Sequence, residues 1–220
     1  MNYLFRTNRV YILLLAALTS CGTTTTIDEF RQGETSLSTE DSVVLLGRRG
    51  DSNISADFVE CVGNRLASSE SAIAIVPEQE FVDAMYPWFE PLNAPQKASQ
   101  LDGLLNERAV SEKMAELDVR YMIWLSGETE RVGSNGTLTC ALSPGGAGCF
   151  GGGYREYSAE YEARVWDVES RSLVGSLNAD GAGTTYVAAV VVPIILPARV
   201  EPITCDRLAA QLESFLVGSQ

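Results

Sequence analysis

The chain has 220 residues, 45% of them hydrophobic, and a formal net charge of −13 at pH 7. A chain this acidic does not suit a nucleic-acid backbone, because that contact depends on clustered Lys and Arg. The sequence contains no histidine, which excludes Ser-His-Asp and Cys-His nucleophiles, and we predict no catalytic residue, cofactor or metal.

The first twenty residues have the composition of a bacterial signal peptide. Arg6 and Arg9 precede an apolar run over 11–18, and small residues follow it. The run is too short for a membrane span, which needs about 20 apolar residues. The tetrapeptide LTSC at 18–21 then resembles the lipobox of bacterial lipoproteins, in which the cysteine becomes the first mature residue.

This resemblance implies cleavage before Cys21 and acylation of its thiol, including palmitate. Two or three acyl chains would anchor the protein stably, since each buried methylene contributes about 0.8 kcal/mol. Gly22 stands where lipoproteins of the inner membrane commonly carry Asp, so we expect the outer membrane of a Gram-negative cell, facing the periplasm. The alternative is that Cys21 is a buried or disulfide-bonded residue.

Residues 21–42 are polar, rich in Thr and aperiodic, and we predict that they form a flexible tether. Residues 43–220 are expected to fold as a single α/β (α+β) domain, with helices packed on a mixed sheet. Its first half alternates between buried strands and amphipathic helices. We predict strands over 43–47, 72–76 and 120–127, helices over 55–69, 77–85 and 111–119, and a surface excursion over 86–100.

The pattern changes to a period of two at 156–168, where small or aromatic side chains alternate with polar ones. With 172–179 this segment predicts an antiparallel hairpin with one covered face. A closing helix is predicted over 204–216. Glu160 and Glu162 share the polar strand face, about 7 Å apart. That spacing would suit a carboxylate-dependent hydrolase, although a solvated strand face is the commoner meaning of such a pattern.

The apolar tract 187–197 admits several interpretations. It could be a buried strand, or an exposed segment that docks a partner or dips into the bilayer interface. It could also help to form the apolar groove of a lipid transporter's auxiliary lipoprotein. The residues of the predicted partner contact are Val190, Val191, Val192, Ile194 and Ile195.

Four cysteines remain for the exported domain: Cys61, Cys140, Cys149 and Cys205. An even number in an oxidising compartment predicts two disulfides, and three connectivities are open. We favour Cys140–Cys149, which closes a short loop, and Cys61–Cys205, which joins two predicted helices. A zinc site is the rival interpretation, but the chain has neither histidine nor a C-x-x-C motif.

The order of these elements, with the hairpin ARVWDVESRSLVGS at 163–176, resembles the periplasmic domains of a group of bacterial lipoproteins. The group includes the curli secretion protein CsgG, the penicillin-binding-protein activator LpoB and the N-terminal domain of TolB. The resemblance implies an accessory or assembly lipoprotein, not an enzyme, that binds another envelope protein. A homo-oligomer fits the same expectation.

Overall fold

The computed structural model describes residues 23–47, 54–90, 92–144 and 146–218, so the predicted signal segment and Cys21 lie outside the described residues. The fold is mixed α/β, as predicted. The strands are β1 Thr24–Arg31, β2 Ser42–Leu46, β3 Ala74–Val76, β4 Val119–Ser143, β5 Gly146–Asp167, β6 Ser172–Val191 and β7 Pro193–Leu196. The helices are α1 Ala56–Ala67, α2 Glu78–Ala84, α3 Leu101–Leu105, α4 Arg108–Ala115 and α5 Val200–Val217. No described helix combines the length and the apolar character that a bilayer span requires.

The chain forms two compact units where the sequence predicted one domain. The core unit contains Thr25–Thr129, Ala159–Gly181 and Glu201–Gln220. Among the described residues, the strand unit contains Thr23, Thr24, Glu130–Ser158 and Ala182–Val200. Strands β4, β5 and β6 each contribute residues to both units, because they continue well past the ends that the hydrophobic pattern predicts.

The sheet has the strand order β1-β6-β5-β4-β2-β3, and β7 pairs with β6. In the core unit β2 is parallel to both of its neighbours, with Val44 opposite Val76 on β3 and Met122 on β4. Helix α1 supplies the long connection that parallel pairing of β2 and β3 requires. Strand β3 therefore ends the sheet.

Both faces of β2 are buried. Val44 and Leu46 pack into a cluster with side chains of α2, α3 and α4. Leu45 points to the opposite face, where its methyl group lies beside Gly63 of α1. The core unit thus has helices on both faces of its sheet, which explains why β2 is apolar without alternation.

Helix α1 follows its sequence signals closely. Ser55 accepts a hydrogen bond from the backbone N–H of Phe58 at 3.1 Å and caps the helix. Phe58, Val62 and Leu66 form the predicted inward stripe and are all buried. A disulfide between Cys61 and Cys205 joins α1 to α5.

The prediction of a flexible tether over 21–42 is wrong for residues 24–31. Residues 24–31 form β1, an edge strand on β6. The Arg31 guanidinium lies 4.1 Å from the centre of the Phe215 ring, and the Thr35 hydroxyl donates a hydrogen bond to the Phe215 carbonyl. The run of β-branched Thr and Ile favours a strand, but the strand forms only because β6 has an unpaired edge for it to pair with.

The predicted surface excursion at 86–100 is also partly wrong, because Phe89 is buried and meets Phe81 edge to face, with ring centres 4.9 Å apart. The sequence also missed α3, whose Leu101 and Leu105 belong to the same core cluster. Prolines obscured the helical period here, while the buried side chains still anchor the segment.

Candidate binding surfaces

Almost none of the described residues of the strand unit is buried. It contains the outer parts of β4, β5 and β6 together with β7, and no residue in 131–142 or 146–158 is buried. β7 pairs with β6 in antiparallel register, with Ile194 opposite Ala188, and all four of its residues are exposed. Over the part that the structure describes, this unit lacks the covered face that an ordinary sheet has.

Large apolar side chains project from these strands into solvent. Val192, Ile194 and Ile195 are 68%, 62% and 61% exposed, so the tract after β6 is not the buried strand that was one of its interpretations. Val190 and Val191 lie in β6. We call the exposed set the apolar strand surface; its members are Val132, Leu138, Leu142, Phe150, Tyr154, Tyr186, Val192, Ile194, Ile195 and Leu196.

The same strands carry no charge over long stretches. Neither 132–154 nor 181–198 contains Asp, Glu, Lys or Arg, although such residues make up 20% of the chain. The strand unit as a whole holds only two of the 29 acidic residues, Glu130 and Glu156. An exposed surface that lacks charge is typical of an interface and not of a solvated face.

Most of the Gly-rich segment 143–153 belongs to β5, which begins at Gly146. Cys140 of β4 and Cys149 of β5 form a disulfide with their Cα atoms 4.0 Å apart. Gly151 has a φ of +126°, and a Cβ there would lie 2.1 Å from the Thr137 carbonyl oxygen. Glycine is required at this position because the two backbones approach too closely for a side chain.

Glu160 and Glu162 lie in β5, as predicted, but they do not form an enclosed pair. Glu160 is exposed, and Glu162 accepts a hydrogen bond from the Arg164 guanidinium at 2.8 Å. Tyr161 and Ala163, which alternate with the two glutamates along β5, are buried. The strand therefore has the predicted solvent-exposed face and the predicted covered face. This arrangement is that of a solvated strand face.

An open groove of about 910 Å³ lies beside β3 in the core unit, between α1 and α2. Its apolar lining comes from Leu45, Val59, Ile75, Val76 and Val82. Polar side chains, including Glu60, Asn64 and Gln79, also line it. The groove thus runs along the last strand of the sheet.

Gly63 helps to keep this groove open. It lies in the interior of α1, where glycine costs about 1 kcal/mol relative to alanine. A Cβ at Gly63 would lie 3.4 Å from Leu45 and 4.0 Å from Ile75, both of which line the groove. A larger side chain would therefore enter the groove, and an unexplained glycine inside a helical pattern was the one sequence signal for this site.

The structure brings together two cysteines and one aspartate at a position that could be considered for the alternative zinc site. The sulfur atoms of Cys61 and Cys205 lie within 4.8 Å of a carboxylate oxygen of Asp206. The two cysteines are joined as a disulfide, however, and zinc binds thiolates. Asp206 pairs instead with Arg65 at 2.7 Å. The structure therefore supports the disulfide interpretation at this position.

Tyr161 is 4% exposed, and its ring stacks on Phe58 with ring centres 3.6 Å apart. Its hydroxyl lies 3.0 Å from the Thr129 hydroxyl. Burial raises the pKa of the Tyr161 hydroxyl above its ordinary value of 10.0 by more than the contact with Thr129 lowers it. The folded protein therefore favours the neutral phenol.

Because the pKa of Tyr161 is higher in the folded than in the unfolded chain, its contribution to stability is present below about pH 10 and is lost as the pH rises through the folded-state pKa. We expect Tyr161→Phe to lower the free energy of unfolding by about 1 kcal/mol at pH 7–9, through the lost hydrogen bond. Above about pH 10 the deficit should shrink. Urea titrations from pH 7 to 11 measure this; a deficit that stays constant over that range would contradict it.

No family model and no curated protein matches the chain. Among solved structures, it is similar to a PelC dodecamer from Paraburkholderia phytofirmans, with 15% identity, a TM-score of 0.41, and coverage of 90% of this chain and 100% of that one. It is also similar to the hypothetical protein CT253 from Chlamydia trachomatis, with 11% identity, a TM-score of 0.37, and coverage of 80% and 98%. Lipoprotein GNA1162 from Neisseria meningitidis shows 8% identity, a TM-score of 0.35, and coverage of 79% and 96%. At these TM-scores the likenesses decide neither fold nor function.

Proposed function

We propose that this protein is a lipid-anchored accessory protein of the outer membrane that faces the periplasm and binds another envelope protein through the groove beside β3. The observation that carries the proposal is the position of this apolar groove along the last strand of the sheet. The lipobox at 18–21 supports the anchor.

The groove suits an extended segment of a partner protein. The edge of a sheet presents backbone N–H and C=O groups that a further strand can pair with. A strand laid beside Ile75 would direct alternate side chains toward Leu45 and Val59. Backbone pairing would supply affinity, and the apolar lining would select the side chains that enter.

The charge of the groove indicates which charged residues the partner segment would carry. Among the described residues, its lining includes the carboxylates of Glu60 and Glu78 and no Lys or Arg. Charged partner groups are arranged to complement such a surface, which speeds encounter and fixes register. We therefore expect an apolar segment flanked by Lys or Arg.

The test replaces Gln79, which is exposed and lines the groove, with a photocrosslinking amino acid in cells. Arg108 of α4, whose side chain is 86% exposed, is the control position. We expect a discrete protein adduct from position 79 and not from 108. Gly63→Leu, which fills the groove, should remove the adduct, whereas Gly103→Leu should not, because a Cβ at Gly103 would have nothing within 4 Å.

Equal adducts from positions 79 and 108, or an adduct that persists in Gly63→Leu, would refute binding in the groove. If Gly63→Leu does not fold, Gly63→Ala is the second variant, because its Cβ fits at ordinary contact distance and should leave the adduct in place. The anchor is tested separately: palmitate should label the wild type and not Cys21→Ser.

Neither alternative function gains support of this kind. A carboxylate-dependent hydrolase would need Glu160 and Glu162 in a cleft, and they lie on a solvated strand face. A lipid-binding groove was expected to include the 187–197 tract, which does not line the groove beside β3. Binding by the core unit remains the better-supported function.

A further inference from the structure

We infer that the apolar strand surface contacts the lipid bilayer directly, in the interface beside the acyl anchor. This contact is additional to the groove, and it rests on the proposed function only for the anchor at Cys21. Its occupant is the bilayer itself, and three features of the strand unit support that choice.

The first feature is exposure without cover. Phe150 of β5 and Leu142 of β4 are 59% and 89% exposed, and the whole of β7 is exposed. Moving such side chains out of water is favourable in proportion to the apolar area removed. Gly152 lies against Val187 and Ala188, so the outer ends of β5 and β6 are neighbours within this unit. The apolar side chains of β4 and β5 and those of β6 and β7 therefore belong to one sheet.

The second feature is the absence of charge. A charged side chain is costly inside a bilayer, and its cost falls toward the interface. The stretches 132–154 and 181–198 contain none, and the charged residues of the strand unit lie outside them: Glu130, Arg131, Arg155, Glu156 and Arg199. The acidic residues that anionic lipid would repel are almost all in the core unit.

The third feature is the length of chain between the anchor and this unit. The Thr23 hydroxyl lies beside Gly183 of β6, so the described chain begins against the strand unit. Only Gly22 separates Thr23 from Cys21, and two residues reach at most about 7 Å. An acylated Cys21 would therefore hold the strand unit at the membrane surface. A water-exposed tether of about twenty residues, as the sequence predicted, would not have done so.

The open outer edge of β7 limits how deep the contact can be. Among the described residues β7 pairs with β6 alone, so one side of its backbone has no strand to pair with. Unpaired backbone groups are not tolerated in the hydrocarbon core, but headgroups and water can satisfy them in the interface. The contact is thus interfacial.

The experiment places a photocrosslinking amino acid at Phe150, Ile194 or Leu92 of the full chain in native envelopes. Leu92 is the matched control, because it is a large apolar side chain, 96% exposed, in the core unit. Mass spectrometry of the purified protein should show phospholipid adducts at 150 and 194 roughly tenfold above those at 92. Adding Ile195→Asp should lower the adduct at 194 by roughly tenfold.

Protein adducts in place of lipid adducts at 150 and 194 would overturn the inference and leave the acyl anchor untouched. If palmitate labelling shows that Cys21 is not acylated, the anchor in the proposed function fails. Flotation then decides the contact, using Cys21→Ser chains with vesicles of equal parts phosphatidylethanolamine and phosphatidylglycerol. Ile194→Asp should float less than Leu92→Asp; equal flotation would overturn the inference.

Discussion

The double variant Cys61→Ala/Cys205→Ala is expected to lower the free energy of unfolding by about 5 kcal/mol. The disulfide closes a loop with a sequence separation of 144, and cross-linking a loop of that length removes about this much conformational freedom from the unfolded chain. It also joins α1 to α5, and Cys205 is fully buried. The loss approaches the whole stability of a typical domain, so the core unit should become marginal at 37 °C.

The matched control is Cys140→Ala/Cys149→Ala, which opens a loop with a separation of only 9. The same relation gives about 2.5 kcal/mol for this loop. Urea unfolding of the oxidised proteins, followed by far-UV circular dichroism, measures both. A smaller loss for the long loop than for the short one would mean that the unfolded chain already holds α1 near α5.

The substitution Gly127→Ala is expected to cost about 3 kcal/mol or more. Gly127 lies in β4 of the core unit with a φ of +128°, a conformation that alanine rarely adopts. A Cβ there would lie 2.1 Å from the Glu160 carbonyl oxygen and 2.7 Å from the Tyr161 Cα. Both obstacles are backbone of the paired strand, so no side-chain rotation relieves them.

Gly103→Ala is the control with the opposite sign. Gly103 lies in α3, and a Cβ there would meet nothing within 4 Å. Alanine should therefore stabilise the protein by about 0.5 kcal/mol through helix propensity. Thermal unfolding of both variants measures the difference, and a Gly127→Ala protein that unfolds with the wild type would show that β4 and β5 can separate locally without loss of stability.

The sequence was informative wherever a single element carries its own signal. Ser55 with the stripe at 58, 62 and 66 predicted α1, and the alternation at 156–168 predicted both faces of the inner part of β5. The four cysteines that follow Cys21 allow three disulfide connectivities, and the structure contains the favoured one. These features are local in the chain, so the residues themselves define them.

Two features could not be predicted in this way: the groove beside β3, and the strand that residues 24–31 form. The groove exists because β3 ends the sheet and Gly63 leaves room beside Leu45, and strand order is not encoded in any one segment. The polar residues 24–31 form strand β1 because they pair with the edge of β6. Pairing partners of this kind are distant in sequence, and the pattern of one segment does not reveal them.

By itself, therefore, the sequence determined the fold class and the helix faces and excluded the chemistry that histidine would have supplied. The lipid anchor at Cys21 stays a proposal that rests on the sequence alone. Tertiary structure decided which apolar residues are covered. The tract 187–197 has the composition of a buried strand, yet β7 is exposed because the part of β6 that it pairs with lies in the strand unit, where almost no residue is buried. Composition sets how much a side chain gains from leaving water, but only the packing of distant segments determines whether it does so.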